Sequence, residues 1–233
     1  MKEFSNRYIF IFSSVMVIVV ATLLSLAATV LQPRQLKNLE IEKKKSMLES
    51  IGISSVRETT ESLFEKHIKE SFVINSKGEV VEGVDAFNVV LRAEHKKPDD
   101  QQYLPVFRAI PDNGENLTII PVEGKGLWGP IFGYVSLRSD MNTIYGVTFD
   151  HKGETPGLGA EINTTPFESM FIDKKLFEAD KFVSIIVVKG GAKPGDVHGV
   201  DAISGGTITS KGLEKMLQDC IVNYESFLIK NRN

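Results

Sequence analysis

The stretch DAISGGTITSKGLEKMLQDCIVNYESFL, Asp201 to Leu228, decides how this chain folds. Its second part sets Leu213, Met216, Leu217, Cys220, Ile221, Tyr224, Phe227 and Leu228 at i, i+3, i+4, i+7, i+8, i+11, i+14 and i+15. That is one apolar face of a helix, and it must pack on a sheet. Cys220 lies on the stripe and reads as a buried apolar residue rather than a nucleophile. The first part, Asp201 to Ser210, brings hydroxyl residues and glycines to the start of the helix. Free N–H groups and the positive helix end favour an anion there, by roughly 0.3–1 kcal/mol where exposed. Thr209 or Ser210 could equally be an ordinary N-cap.

Upstream, the pattern that would supply the sheet is a series of short strands: Leu104–Ile110, Leu117–Val122, Ile131–Leu137, Thr143–Phe149 and Phe182–Val188. Turn residues divide them. Thr165 to Phe177 reads as helical, with Pro166 tolerated in the first turn. Earlier still, Val56 to Glu70 has helical spacing, and Phe72–Asn75 with Glu79-Val-Val predicts a hairpin across Ser-Lys-Gly78. The fold class is therefore α+β, and no internal repeat is visible.

Two further glycine-rich segments are candidates for chemistry. Gly124-Lys-Gly126-Leu127-Trp128-Gly129 is formally G-x-G-x-x-G, but Pro130 and a strand-like run follow where a dinucleotide site needs a helix. A tight turn with Trp128 packed nearby is one account of it; glycines allowing close backbone approach, with Trp128 as an apolar wall, is the other. His151-Lys-Gly-Glu154-Thr155-Pro-Gly157-Leu158-Gly159 cannot be regular structure. It is either simply a long loop or a functional one. His151 and Glu154 could pair as acid and base, or could both be solvated.

At the other end, Tyr8 to Leu31 gives 24 consecutive uncharged positions. A helix of that length reaches about 36 Å, enough to cross a hydrocarbon core of about 30 Å. A cleaved signal would normally have a shorter apolar region, so a retained anchor is expected. Lys2 and Arg7 precede the span, whereas Arg34, Lys37, Lys43, Lys44 and Lys45 follow it. Taken literally, that asymmetry would keep the large domain cytoplasmic, but long domains translocate largely regardless of charge. The polar stretch from Gln32 to Ser50 reads as a juxtamembrane helix or stalk. Lys43–Lys45 could meet anionic lipid, or form a solvated face with Glu40, Glu42 and Glu49. The expected organisation is an anchor over 1–34, a helical and hairpin region over 35–100, and the main domain over 101–233.

Composition removes several classes. The 233 residues carry 27 Lys+Arg against 30 Asp+Glu, for a formal charge of −3. Nothing in that balance supports a nucleic-acid binder, which needs a basic face. One cysteine excludes an intramolecular disulfide framework and any Cys-rich metal site. The mean hydropathy of −0.04 conceals one very apolar segment. No P-loop, H-E-x-x-H or G-x-S-x-G pattern occurs.

The residues now carry a resemblance. Asp201-Ala-Ile-Ser204-Gly205-Gly206-Thr207 resembles the flavinylation motif D-x-x-[S/T]-G-A-[T/S] of the covalent FMN-binding domain family. Glu154-Thr-Pro-Gly-Leu-Gly159 matches a second signature of that family. With the N-terminal anchor and Gly124-Lys-Gly-Leu-Trp128, the chain resembles the C subunits of Na⁺-translocating NADH:quinone reductases. Gly206 departs from the pattern, standing where alanine is usual; the hydroxyl acceptor is retained, so modification is expected.

The resemblance implies a mixed α/β FMN-binding domain behind a single transmembrane helix and stalk. It implies FMN joined to Thr207 by a phosphoester, placed there from FAD by a separate Mg²⁺-dependent flavin transferase. Asp201, Ser204, Gly205, Gly206 and Thr209 would surround the attachment. Glu154, Thr155, Gly157, Leu158, Gly159, Leu127 and Trp128 would line the isoalloxazine. Expected partners are the other membrane subunits of an NADH:ubiquinone reductase, the transferase and membrane lipid. The expected location is the bacterial inner membrane with a periplasmic domain. No catalytic residue or metal ligand is assigned, and the chain alone should not oxidise NADH.

The nearest rival is the G subunit of the Rnf ferredoxin:NAD⁺ complex, which shares anchor and covalent FMN. Chain length and the Gly-Leu-Trp segment favour the quinone reductase. A membrane-anchored sensory domain, without flavin, is the rival from another class.

Overall fold

The structure is a computed structural model that describes residues 5–232. Lys2, one of the charges before the apolar span, lies outside the described residues. The chain divides into two compact units, Met1–Lys43 and Lys44–Asn233. The N-terminal unit is carried by helix α1 (Asn6–Ser50), long and apolar enough to cross a membrane, with hydropathy 2.7 in its most apolar window. Within the span, the hydroxyls of Thr22 and Thr29 donate to the carbonyls of Ile18 and Ser25, so neither is left unsatisfied.

The second unit begins with the last turn of α1. Then come α2 (Arg57–His67), β1 (Ile68–Ile74), β2 (Val80–Val81), α3 (Leu91–Glu94), β3 (Leu104–Ala109), β4 (Leu117–Lys125), β5 (Pro130–Leu137) and β6 (Ile144–His151). After these run α4 (Thr165–Glu168), β7 (Phe177–Glu178), β8 (Lys181–Phe182), β9 (Ile186–Val188), β10 (Gly199–Asp201), α5 (Thr207–Ile221) and α6 (Glu225–Asn231). Six strands make one antiparallel sheet in the order β2-β1-β3-β4-β5-β6. β1 is paired to β3 from Ile68↔Ala109 to Ile74↔Leu104, with one bulge.

Both faces of this sheet are buried, which the period-two alternation makes possible. In β4, Ile120 and Val122 face one core, while Leu117 and Ile119 face the other. The first core receives the whole α5–α6 stripe, and all eight predicted residues are buried. Tyr224 anchors it, fully buried, with its hydroxyl donating to the Pro105 carbonyl at 3.1 Å. The second core is closed by Met47 and Leu48 from the end of α1 and by Ile51 just beyond it, with Leu63 and Phe64 of α2 packed on it.

Several sequence expectations are corrected. The helix expected over Thr165–Phe177 stops at Glu168, followed by one 3₁₀ turn, Ser169–Phe171. Asp173 adopts a positive φ of 62° and its N–H goes to Ile144. The Oδ1 of Asn142 then takes the N–H groups of Leu176 and Phe177, so tertiary partners displace the helical ones. The strand expected over Phe182–Val188 is split into β8 and β9, with Ser184 at φ 65° between them. The final helix is interrupted by a 3₁₀ turn at Val222–Tyr224 without losing its stripe.

Candidate functional site

The site forms where the three glycine-rich segments meet, and the meeting point is a carboxylate. Glu154 is only 5 % exposed. Its Oε1 accepts the Trp128 N–H at 2.9 Å, and its Oε2 accepts the Thr209 hydroxyl at 2.5 Å. One side chain thus joins the β4–β5 hairpin, the loop after β6 and the first turn of α5. Burial opposes its ionisation, but the Thr209 hydroxyl and the N–H groups of Trp128 and Gly129 outweigh it, holding the carboxyl below its ordinary range. His151 is hydrogen-bonded to Glu154 through the backbone, its Nδ1 accepting the Glu154 N–H at 3.3 Å, and its electrostatic effect is the smallest of those that lower the carboxyl. The acid/base pairing of the two side chains is not what the fold builds.

The glycines have a steric task here. A Cβ on Gly126 would lie 2.5 Å from Glu154 Oε1. One on Gly159 would collide with Glu154 Oε2 and Thr209 Oγ1, and one on Gly212 with the Lys125 carbonyl. Gly124 approaches Met216 of α5 in the same way, its Cβ position 2.6 Å from Met216 Cβ. The hairpin and helix can approach this closely only because side chains are missing at these positions. The loop itself turns at Thr155-Pro156-Gly157-Leu158, where the Leu158 N–H returns to the Thr155 carbonyl and Gly157 takes φ 75°.

The helix entry is equally defined. Gly205 takes φ 73°, and Gly206 is the N-cap of α5 without any side-chain cap. Neither Thr209 nor Ser210 is the N-cap that the sequence allows; both lie inside the helix. Ser210 Oγ accepts the Ile203 N–H at 3.1 Å, bracing the loop from within. The first helical bond runs from the Ser210 N–H to the Gly206 carbonyl. The N–H groups of Thr207, Ile208 and Thr209 therefore have no partner inside the helix. Thr207, at the first helical position, is exposed, whereas Thr209 and Ser210 are 2 % and 1 % exposed. Ser204 is exposed in the loop. Asp201 faces another way: its Oδ1 accepts the Ala192 N–H at 2.7 Å, holding the glycine-rich loop before β10.

On the three joined segments several large side chains are open. Trp128 is 69 % exposed at the hairpin tip, which overturns the account of a tryptophan packed into the turn. Leu127, Leu158 and Ile208 are also exposed. Leu158 lies against the Gly205–Gly206 turn: a Cβ on Gly205 would fall 2.5 Å from its Cδ2. An uncapped helix start, a free hydroxyl and exposed apolar surface suit a phosphate attached to a flat apolar ring system. By contrast, the described residues hold no His, Cys, Asp and Glu grouping suited to a metal. Burial pushes the Cys220 thiol up to about 12, and its Sγ donates to the Glu123 carbonyl, so it is inert.

Comparison with known proteins agrees with this geometry. The pattern of the FMN-binding domain family matches residues 126–222. The C subunit of the Na(+)-translocating NADH-quinone reductase from Vibrio vulnificus is 34 % identical over 213 residues, covering 84 % of this chain and 83 % of that protein. The chain belongs to this family of C subunits. Among solved structures, the family member from Parabacteroides distasonis superposes with a TM-score of 0.77 at 42 % identity, covering 85 % of this chain and 96 % of that one. That from Shewanella oneidensis gives 0.67 at 29 % identity, with coverage of 81 % and 97 %. As a member of the family, the chain is one part of a multi-subunit oxidoreductase.

Sequence reasoning named Glu154 as one wall residue of a cofactor site, and missed that it is the hub. It also passed over Gly126 as a residue that makes room for this carboxylate, and Ile208. The repeated glycines across three segments were the available signal, but their shared neighbour is visible only in three dimensions.

Proposed function

We propose that this chain is the FMN-carrying electron-transfer subunit of a Na⁺-translocating NADH-quinone reductase, with FMN attached to Thr207 through a phosphoester bond. The observation that carries the reading is selectivity within one helical turn. Of the three hydroxyls there, Thr209 is bonded to Glu154, Ser210 to the Ile203 N–H, and Thr207 alone is open to solvent. A threonine hydroxyl is a weak nucleophile without a base, so a separate flavin transferase would make the bond, the Thr207 oxygen replacing AMP on the FMN half of FAD. Gly205 and Gly206 leave the approach to Thr207 unhindered.

Once attached, the phosphodiester would sit at the uncapped start of α5, where the N–H groups of Thr207, Ile208 and Thr209 favour its negative charge. Ser204 would flank it. Leu127, Trp128 and Leu158, with the Thr155–Gly159 backbone, would line the ring. The flavin supplies reversible electron transfer; the chain supplies its tether, its position and the surrounding charge. Covalent attachment keeps a flavin in place that must stay accessible to neighbouring subunits. The anchor would hold the chain in a bacterial inner membrane with the Lys44–Asn233 unit in the periplasm, beside the other subunits of the complex.

The test is in-gel flavin fluorescence of the chain from its native membrane, denatured, beside a Thr207→Ala version. The unaltered chain is expected to fluoresce and the variant to be dark, with the same thermal melting within about 0.5 kcal/mol, as for an exposed surface change. A fluorescent Thr207→Ala band would refute the attachment site.

A further inference from the structure

We infer that Glu154 is a positioning residue that acts as a fixed anion beneath the flavin's attachment helix and lowers the reduction potential of the flavin. The inference rests on the proposed function and deepens it.

Glu154 is buried, and no Lys or Arg forms an ion pair with it among the described residues. Its carboxylate oxygens accept from neutral donors: a hydroxyl from the third residue of α5 and the backbone N–H groups of the hairpin tip. Among the described residues, no Lys or Arg is paired with this charge to cancel its field. It also occupies the positive end of α5 from the inner side, opposite the face on which Thr207 is exposed. The phosphate and Glu154 would therefore share one helix end, and each would weaken the other's hold on it.

The fold makes specific provision for this anion. Gly126 and Gly159 both leave the space that its two oxygens fill. The donors set around Glu154 outweigh its burial, so the carboxylate stands there ionised. Each electron that a reductant delivers to the flavin adds negative charge there unless a proton follows. A fixed anion nearby disfavours that step and moves the potential down.

Glu154→Gln removes the charge and keeps the shape, since the amide can still accept the Trp128 N–H and bond to Thr209. Thr209→Val does the opposite, removing one hydrogen bond and keeping the charge. The measurement is a dithionite titration of the flavin in the full chain purified in detergent, followed by visible absorbance, with thermal melting alongside. Flavin attachment is first checked on a denaturing gel; an unaltered chain without covalent flavin would defeat the proposed function itself, before Glu154 is tested. The expected result is a midpoint raised in Glu154→Gln with melting nearly unchanged, and a midpoint unchanged in Thr209→Val with melting lowered. An unchanged midpoint in flavinylated Glu154→Gln overturns the inference. So does an upward shift in Thr209→Val matching that of Glu154→Gln, which would make the role purely structural. If Glu154→Gln does not fold, Glu154→Ala combined with Thr209→Val, which removes the charge together with its hydroxyl partner, is compared with Thr209→Val: a higher midpoint in the double variant supports the fixed charge, and equal midpoints refute it.

Discussion

One face of the six-stranded sheet is covered by α5 and α6, and the start of that covering carries Thr207. The opposite face is covered by Met47 and Leu48, from the end of the same helix that carries the apolar span, and by Ile51 just beyond it. The first core is extensive, and beside the α5–α6 stripe it holds the aromatic pair Phe149–Phe171 at 5.2 Å, from β6 and the 3₁₀ turn after α4. The second covering is smaller, and is joined to the sheet by a buried polar contact, Ser50 Oγ to Ser136 Oγ at 2.7 Å. Gly146 lets the Ser50 carbonyl come this close, since a Cβ there would lie 2.6 Å from it. The difference teaches that residues 44–51 are a structural part of the domain, whereas α5 is structure and also begins the candidate site.

The largest effects should come from emptying either core. Leu217 and Leu48 are both fully buried, one on each face. Each Leu→Ala change is expected to cost about 2–5 kcal/mol, read by urea unfolding of the second unit. Only Leu217→Ala should also reduce in-gel flavin fluorescence, because only α5 carries Thr207, the proposed attachment residue. A loss below about 1 kcal/mol for Leu48→Ala would mean that the end of α1 merely rests on the sheet.

A double-mutant cycle sharpens the same point. The Ser50 hydroxyl donates to the Met47 carbonyl and so accepts from Ser136. Ser50→Ala should cost about 1–3 kcal/mol by orphaning the Ser136 hydroxyl, while Ser50→Ala with Ser136→Ala should fall close to zero. Additive losses would show that the two serines do not meet.

The smallest effect belongs to Glu168 of α4, whose surroundings include groups from both sides. Burial raises its carboxyl to about 7; the Phe149 N–H opposes this, and the charges of Glu49 and Asp150 add to it. The folded pKa lies above the ordinary value of 4.5, so the folded state binds the proton more tightly. Its contribution to stability is complete below about 4.5 and is lost as pH rises through about 7. Glu168→Gln should therefore be more stable than the unaltered chain at pH 8, by roughly 1 kcal/mol after allowing for its partial exposure, with the gap closing towards pH 4.5. Melting curves at both pH values would check it, and a gap that does not depend on pH would remove Glu168 from the account.

Much of the site was legible because its chemistry is local. A hydroxyl and two glycines in front of a helical stripe mark a helix start, and Thr207 stands at the first position of α5 in the structure. The hairpin at Ser76–Gly78 was legible too: Asn75 Oδ1 takes the N–H groups of Lys77 and Glu79, and Gly78 supplies φ 74°. The helix after Thr165 was misjudged, since Asn142 and Ile144, distant in sequence, claim the backbone groups that would have extended it.

The sequence by itself determined the apolar span, the alternation that buries both faces of the sheet, the α5 stripe and the hydroxyl-glycine entry. All of these are set by backbone periodicity and by residues within a few positions of one another. Only the tertiary structure decided which hydroxyl of the entry stays open, because Thr209 is taken by a carboxylate 55 positions away. It alone also brought Trp128 to that same carboxylate from 26 positions in the other direction. Such contacts depend on the strand register and on space left by Gly126, Gly159 and Gly212, and neither is encoded in any single stretch of the chain.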